Sequence, residues 1–298
     1  MDGRDRRNLT PKTAGASHRA PRTTVPRPRS RYRHPMTRLM GILNVTPDSF
    51  SDGGLYLEAS AAVARGREMA AESADLIDVG GESTRPGAPE VSAEEELRRT
   101  EPVVEGLCAA GIAVSIDTSK AAVAQAALDA GASMVNDVTA LRGDPELARL
   151  CAERGCEVAL MHMQGTPRTM QADPTYDDVV DDVRAFLAGR IEEATSAGVA
   201  EDRIWIDPGI GFGKTLEHNA ELLRRLGELR DLGRPIMIGT SRKSFLGKLT
   251  GREVEDRIGG SIASSVLALR AGAELLRVHD VRETAEAVKV AEAILTPA

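Results

Sequence analysis

From Met36 to the end of the chain, short and continuously aliphatic runs alternate with longer amphipathic stretches. The runs Leu39–Val45, Leu76–Val79, Ala113–Asp117, Met134–Val138, Val158–Met161, Ile204–Asp207, Ile236–Ile238 and Leu275–Val278 predict eight strands. They lack the polar alternation of a half-exposed sheet, so both faces of each strand are expected to be covered. Between them, apolar positions recur at helical spacing over 94–110, 119–130, 177–197, 217–227, 259–271 and 283–295. In the last of these, Ala287, Val290, Ala291 and Ile294 fall at i, i+3, i+4 and i+7 and predict one apolar stripe.

Eight such units between residues 36 and 298 predict the α/β class and, within it, a single-domain (β/α)8 TIM barrel, a fold of about 250 residues. A doubly wound sheet shares the alternation but usually has fewer strands and a glycine-rich first turn. Here the first strand runs into "NVTPDSFSDGG", which holds no GxGxxG, and the barrel is the expected fold.

Residues 1–35 differ in kind from this body. They carry ten Lys/Arg against two Asp, five prolines and almost nothing aliphatic. Such a segment buries too little apolar surface to offset its ordering entropy, and it is expected to be disordered. It suits a nucleic-acid contact, an organelle leader or a dispensable extension with the start at Met36, and the last is the preferred reading. Removing its surplus of eight positive charges from the overall −7 leaves about −15 on residues 36–298. An acidic body is expected to have no nucleic-acid partner. No apolar run reaches the ~18 residues that cross a bilayer, so no membrane association is expected. The three cysteines, Cys108, Cys151 and Cys156, form no CxxC pair. An odd count without a secretion signal points to core packing in a reducing cytoplasm.

Polar residues stand at or just past every strand end: Asn44, Asp78, Asp117, Asn136, His162, Asp207, Lys243, and Arg277 with His279. In a barrel all carboxyl ends share one face, so these groups are expected to converge at one mouth. One such residue alone would often be a helix cap. Eight ends out of eight exceed what capping explains, and the loop after Asn44 reads as a lid.

Individual motifs sharpen this. "WIDPGIGFGKT" is not a P-loop, because Pro208 stands where that motif needs its first glycine. Its glycines instead let the backbone approach a ligand. Asp207 can accept paired hydrogen bonds from an amino-amidine edge such as that of a 2-amino-4-oxo-pyrimidine, and Asp117 and Asn136 can share the task. Each of the three is equally readable alone as a cap or a buried structural hydrogen bond. "GTSRKSFLG" places Arg242, Lys243 and two serines where a short helix begins near Ser244, and "RVHD" adds Arg277 and His279. Cations beside a helix start after strands seven and eight suit an anionic ligand. The long loops 77–96 and 161–178 are candidates for walls of the mouth. No HExxH or paired Cys/His spacing predicts zinc, whereas Asn44 suits a hydrated Mg²⁺ held jointly with a phosphate.

With these residues assembled, the body resembles the dihydropteroate synthases of the folate pathway. The likeness rests on "GILNVTPDSFSDGG", "IDVGGESTRPGA", "VSIDT", "VNDV", "LMHMQGTP", "IDPGIGFGK", "GTSRKSFLG" and "LLRVHD", in order and one per strand end across 38–282. The resemblance implies condensation of dihydropterin diphosphate with 4-aminobenzoate. It further implies that Asp117, Asn136, Asp207 and Lys243 bind the pterin, with Arg277 stacked on its ring and Val278 beside it. Asn44 is implied as a ligand of Mg²⁺ on the diphosphate, which Arg277 and His279 also contact. Thr84 and Arg85 belong to the second mobile loop, Phe50 and Pro86 wall the aminobenzoate pocket, and Ser244 receives its carboxylate. Met161 and Phe212 are implied as apolar contacts, and a homodimer as the assembly. A pterin-dependent methyltransferase shares the barrel and pterin pocket, but Arg277, His279 and the two lid loops argue against it.

Overall fold

The computed structural model describes residues 37–46, 54–84 and 87–295, with the backbone alone for 54–58. The extension 1–35, Phe50, Arg85 and Pro86 lie outside the described residues. The elements run β1 Arg38–Asn44, α1 Gly54–Ala71, β2 Leu76–Gly80, α2 Ala93–Ala109, β3 Val114–Asp117, α3 Ala121–Asp129, β4 Met134–Asp137, α4 Pro145–Arg154 and β5 Glu157–Met161. They continue with α5 Val179–Ser196, β6 Ile204–Asp207, α6 Leu216–Arg224, β7 Met237–Ile238, α7 Ser244–Thr250, α8 Ile258–Ala271, β8 Leu275–Val278 and α9 Val281–Leu295.

The strands pair in parallel in the order β6-β5-β4-β3-β2-β1-β8-β7. A further parallel bridge, Ile206 to Ile236, joins the two outer strands. The sheet therefore closes on itself, and the expected (β/α)8 barrel is the observed fold. Two helices, α1 and α4, fall outside the patterns singled out from sequence. For α4 the local signals exist: Asp144 caps it, Pro145 opens it and Gly155 ends it in the left-handed region. For α1 they are weak, and packing defines it. A β-carbon on Gly66 would lie 2.6 Å from Leu107, and one on Gly106 2.7 Å from Val63, so α1 and α2 meet through two bare backbones.

Strand alternation sorts the barrel into two shells. Met40, Leu76, Met134, Ala159, Trp205, Met237 and Leu275, from seven different strands, form one buried cluster that plugs the amino-terminal end of the interior. Arg38 lies over the Trp205 ring at 5.5 Å and pairs with Glu157 at 3.3 Å, closing that end. The intervening strand residues, such as Leu43, Ile77, Val79, Ile116, Val135, Leu160, Ile206 and Leu276, join the larger cluster beneath the helices. Both faces of the strands are covered, as their aliphatic runs require.

The apolar stripe expected on the last helix is corrected. α9 buries Val281, Thr284, Ala285, Val288 and Ala291, while Val290 is 60% and Ile294 76% exposed. The helix carries apolar residues around more than one face, and its seat on the barrel, not the pattern, chose which face is inside.

Candidate active site

The same alternation that builds the plug builds the mouth above it. Two residues beyond Leu76, Met134, Ala159, Trp205 and Leu275, and therefore on the same interior face, stand Asp78, Asn136, Met161, Asp207 and Arg277. Asn44, Gly80, Asp117 and Asn136 pair in one register row across β1 to β4. The side chains of Asn44 and Asp117 flank the bare Gly80, whose β-carbon would lie within 3.7 Å of both.

At the centre is an ion cluster. Arg277 Nε donates to Asp78 Oδ2 at 2.6 Å, and its Nη2 donates to Asp117 Oδ2 at 2.7 Å. Asn136 Nδ2 donates to the same Asp78 oxygen at 3.0 Å. Asp78 is fully buried, and its Oδ1, like Ser115 Oγ in the next strand, has no hydrogen-bonding partner among the described residues. Burial raises the Asp117 carboxyl, Arg277 pulls it back down and the Asp78 carboxylate adds to the rise, leaving it at about 7. Burial lowers Arg277, but the two carboxylates outweigh it and hold the guanidinium charged. Its edge is spent on Asp78 and Asp117, which leaves the planar faces for a flat partner.

On the opposite wall, Asp207 Oδ1 accepts the Gly209 amide at 2.7 Å, which orients the carboxylate. Burial raises Asp207 against the pull of Lys243. Lys243 donates to the Ile210 carbonyl and lies 4.8 Å over the Phe212 ring. Burial pushes this lysine down to about 8 despite Asp207. Phe212 packs on a buried cluster that includes Met161, Met163 and Met170, so Met161 and Phe212 do come together.

His279, just past β8, receives its neighbour from the loop after β7: Ser241 Oγ lies 3.0 Å from its Nδ1 and accepts its main-chain amide. Arg242, expected among the anion-binding cations, is instead paired with Asp280. Ser244 is exposed and is the first residue of α7, where the helix start was expected. Thr84 lies in the loop after β2.

Two expectations are corrected. His162 does not join the mouth. It follows Met161 by one residue, so alternation turns it the other way, and it is 6% exposed against Phe186 and Tyr176. Burial, then the nearby Lys214, pushes it down to about 2, and its neutral Nδ1 lies 2.8 Å from Lys214 Nζ. Val278, expected to contact ligand, is 1% exposed and packs in the outer shell, so only its main chain can face the mouth.

Sequence reading placed Asp78 among the groups of the mouth without giving it a partner, and assigned no role to Lys214. Asp78 had a visible signal, its place two residues past Leu76. Lys214 had none beyond a failed P-loop. It is 3% exposed, and its Nζ donates to the Phe212 carbonyl at 2.9 Å while holding His162, so it ties the loops after β5 and β6 together. Burial pushes Lys214 well below an ordinary lysine.

Comparison with known proteins places this geometry. The sequence profile described as pterin binding enzyme matches residues 40–279. The dihydropteroate synthase of Escherichia coli (strain K12) is 47% identical over 264 residues, covering 88% of this chain and 93% of that protein. The dihydropteroate synthase of Xanthomonas albilineans, solved with 4-aminobenzoic acid, superposes with a TM-score of 0.82 at 51% identity, covering 88% of this chain and 94% of the other. A structure of the enzyme from the same organism, in complex with 7,8-dihydropteroate, gives a TM-score of 0.80 at 48% identity, with 88% and 95% covered. The chain belongs to the pterin binding enzyme family and, within it, to the dihydropteroate synthases.

Proposed function

We propose that this protein joins (7,8-dihydropterin-6-yl)methyl diphosphate to 4-aminobenzoate, releasing diphosphate and 7,8-dihydropteroate. The observation that carries the reading is the pairing of two buried carboxylates, Asp117 and Asp207, with Lys243 and the edge-bound Arg277 at one barrel mouth. An amino-amidine edge donates to Asp207, and the remaining polar edge of the ring meets Asn136, Asp117 and Lys243. The ring then lies against a face of Arg277, with Met161 and Phe212 as apolar contacts.

Arg277 and His279 take the diphosphate and stabilise it as it departs. The pterin methylene becomes transiently cationic, and the arylamine nitrogen attacks it, losing a proton. This sequence needs no nucleophilic side chain. Ser244, at the start of α7, receives the aminobenzoate carboxylate, with Thr84, Arg85, Phe50 and Pro86 forming the rest of that pocket.

Mg²⁺ fits here as an ion that arrives on the diphosphate. Half-buried Asn44 offers a neutral oxygen, while Asp78 and Asp117 each give an Oδ2 to Arg277. Among the described residues no group of three His, Cys, Asp or Glu is arranged to hold a metal alone. A hard cation keeping most of its ligands as water and phosphate needs only one such protein oxygen. Asn44 would hold it, and it would supply charge neutralisation on the leaving group.

The test supplies Mg²⁺, the dihydropterin diphosphate and 4-aminobenzoate, and follows pyrophosphate and dihydropteroate by mass. Both should appear together, at equal rates for the full chain and for residues 36–298. Asp207→Ala should lower the rate on the order of a hundredfold or more. Pterin binding without product would instead make the protein a noncatalytic relative.

The assembly proposed is a homodimer. Among the described residues, every large hydrophobic side chain that is exposed, Leu249, Val254, Ile258, Leu267, Val290, Ile294 and Leu295, lies between the start of α7 and the end of α9. Exposed apolar side chains gathered on consecutive outer helices support an association surface there. Leu267→Glu combined with Ile294→Glu should convert a dimeric mass in light scattering to a monomeric one; an unchanged mass would exclude this face. No described helix is long and apolar enough to cross a membrane. The three cysteines are unpaired, which supports a cytoplasmic setting.

A further inference from the structure

The loop after β2 is fixed at its root by an ion cluster that the chemistry above does not use. Glu82 bridges the two ends of the loop: its Oε1 accepts the Val91 amide at 3.2 Å, and its Oε2 accepts from Lys120 Nζ. Lys120 also binds Glu96 Oε2, and the Glu96 side chain, on α2, is completely buried. The preceding residue is held as firmly. Arg99 Nη1 donates to the Gly81 carbonyl at 2.8 Å, and a β-carbon on Gly81 would lie 2.7 Å from Thr100.

A buried carboxylate such as Glu96 is costly unless it is paired, and surface helices seldom keep one. Among the described residues its one salt-bridge partner is Lys120. Burial works against the charge on Lys120, but Glu82 and Glu96 outweigh it, and the lysine titrates above its ordinary value. Lys120 stands three residues after Asp117, at the same strand end. The cluster thus ties the loop that carries Thr84 to the strand that carries the Asp117 carboxylate.

We infer that Glu82 is a positioning residue, which, held between the Val91 amide and Lys120, sets the loop bearing Thr84 against the arylamine side of the mouth. The inference rests on the synthase reading. A loop set wrongly leaves the pterin site intact but admits water, which competes with the arylamine for the cationic methylene.

Glu82→Ala tests this without stranding Glu96, which keeps Lys120. Amide exchange of Val91 should rise about tenfold or more, the scale of losing a hydrogen bond to a charged group. In turnover, pyrophosphate should exceed dihydropteroate and KM for 4-aminobenzoate should rise, with affinity for the dihydropterin diphosphate unchanged. Glu82→Gln, which keeps an acceptor for Val91, should fall between. Wild-type exchange at Val91 in Glu82→Ala would overturn the staple whatever the activity. Faster exchange with an unchanged product ratio and KM would overturn its role in turnover. If the wild type makes no dihydropteroate, the synthase reading fails, and the exchange result still decides whether the staple exists.

Discussion

Replacing Arg277 with lysine is expected to lower kcat/KM for the dihydropterin diphosphate by roughly a hundredfold while leaving the protein folded. The guanidinium reaches Asp78 through Nε and Asp117 through Nη2 at once. A lysine ammonium keeps the positive charge between those carboxylates, so the fold survives. It has no planar face to offer a pterin ring and cannot hold both carboxylates in the same fork. Arg277→Met removes the charge as well. It leaves two buried carboxylates facing each other, and an added loss of about 3–5 kcal/mol is expected. Steady-state dihydropteroate formation and urea denaturation separate the two effects. A lysine variant within threefold of wild type would show that charge alone suffices at this position.

The second large effect is on stability. A β-carbon on Gly209, whose φ is +68°, would lie 1.9 Å from the His162 carbonyl oxygen and 3.0 Å from its carbon. Neither atom belongs to a side chain that can swing away. The Gly209 amide also orients Asp207, so a shift of this loop displaces the carboxylate proposed to read the pterin. Gly209→Ala should therefore cost about 3 kcal/mol or more and lower activity together with stability. Gly155→Ala is the control. Gly155 is equally left-handed, at φ +60°, but nothing lies within 4 Å of its would-be β-carbon. There only the backbone term remains, about 1–2 kcal/mol. Equal urea midpoints for the two variants would refute the close approach of the loops after β5 and β6.

The strand runs determined the fold from sequence because a closed parallel barrel covers both faces of every strand. That demand leaves an unbroken aliphatic signature in segments such as Ile204–Asp207 and Leu275–Val278. The same runs determined most of the site. A polar residue placed two positions past an interior one must point into the same interior, which is why Asn136, Asp207 and Arg277 were legible one strand at a time. The start of α7 near Ser244 was legible, whereas α4 was not singled out although Asp144, Pro145 and Gly155 mark its ends locally.

What required the tertiary structure was every choice between equivalent faces and every pairing across the chain. His162 and Asp207 both sit at strand ends, yet one residue of phase sends His162 outward to Phe186 and Tyr176. In α9 the apolar residues allow more than one inward face, and only the helix's seat on the barrel selected Val281, Ala285 and Val288 over Val290 and Ile294. Asp78 meets Arg277 across 199 positions of sequence, and Lys120 meets Glu96 across 24. No local pattern encodes such partners, because the energy that makes them, the cost of leaving a buried charge alone, arises only once the chain has closed around them.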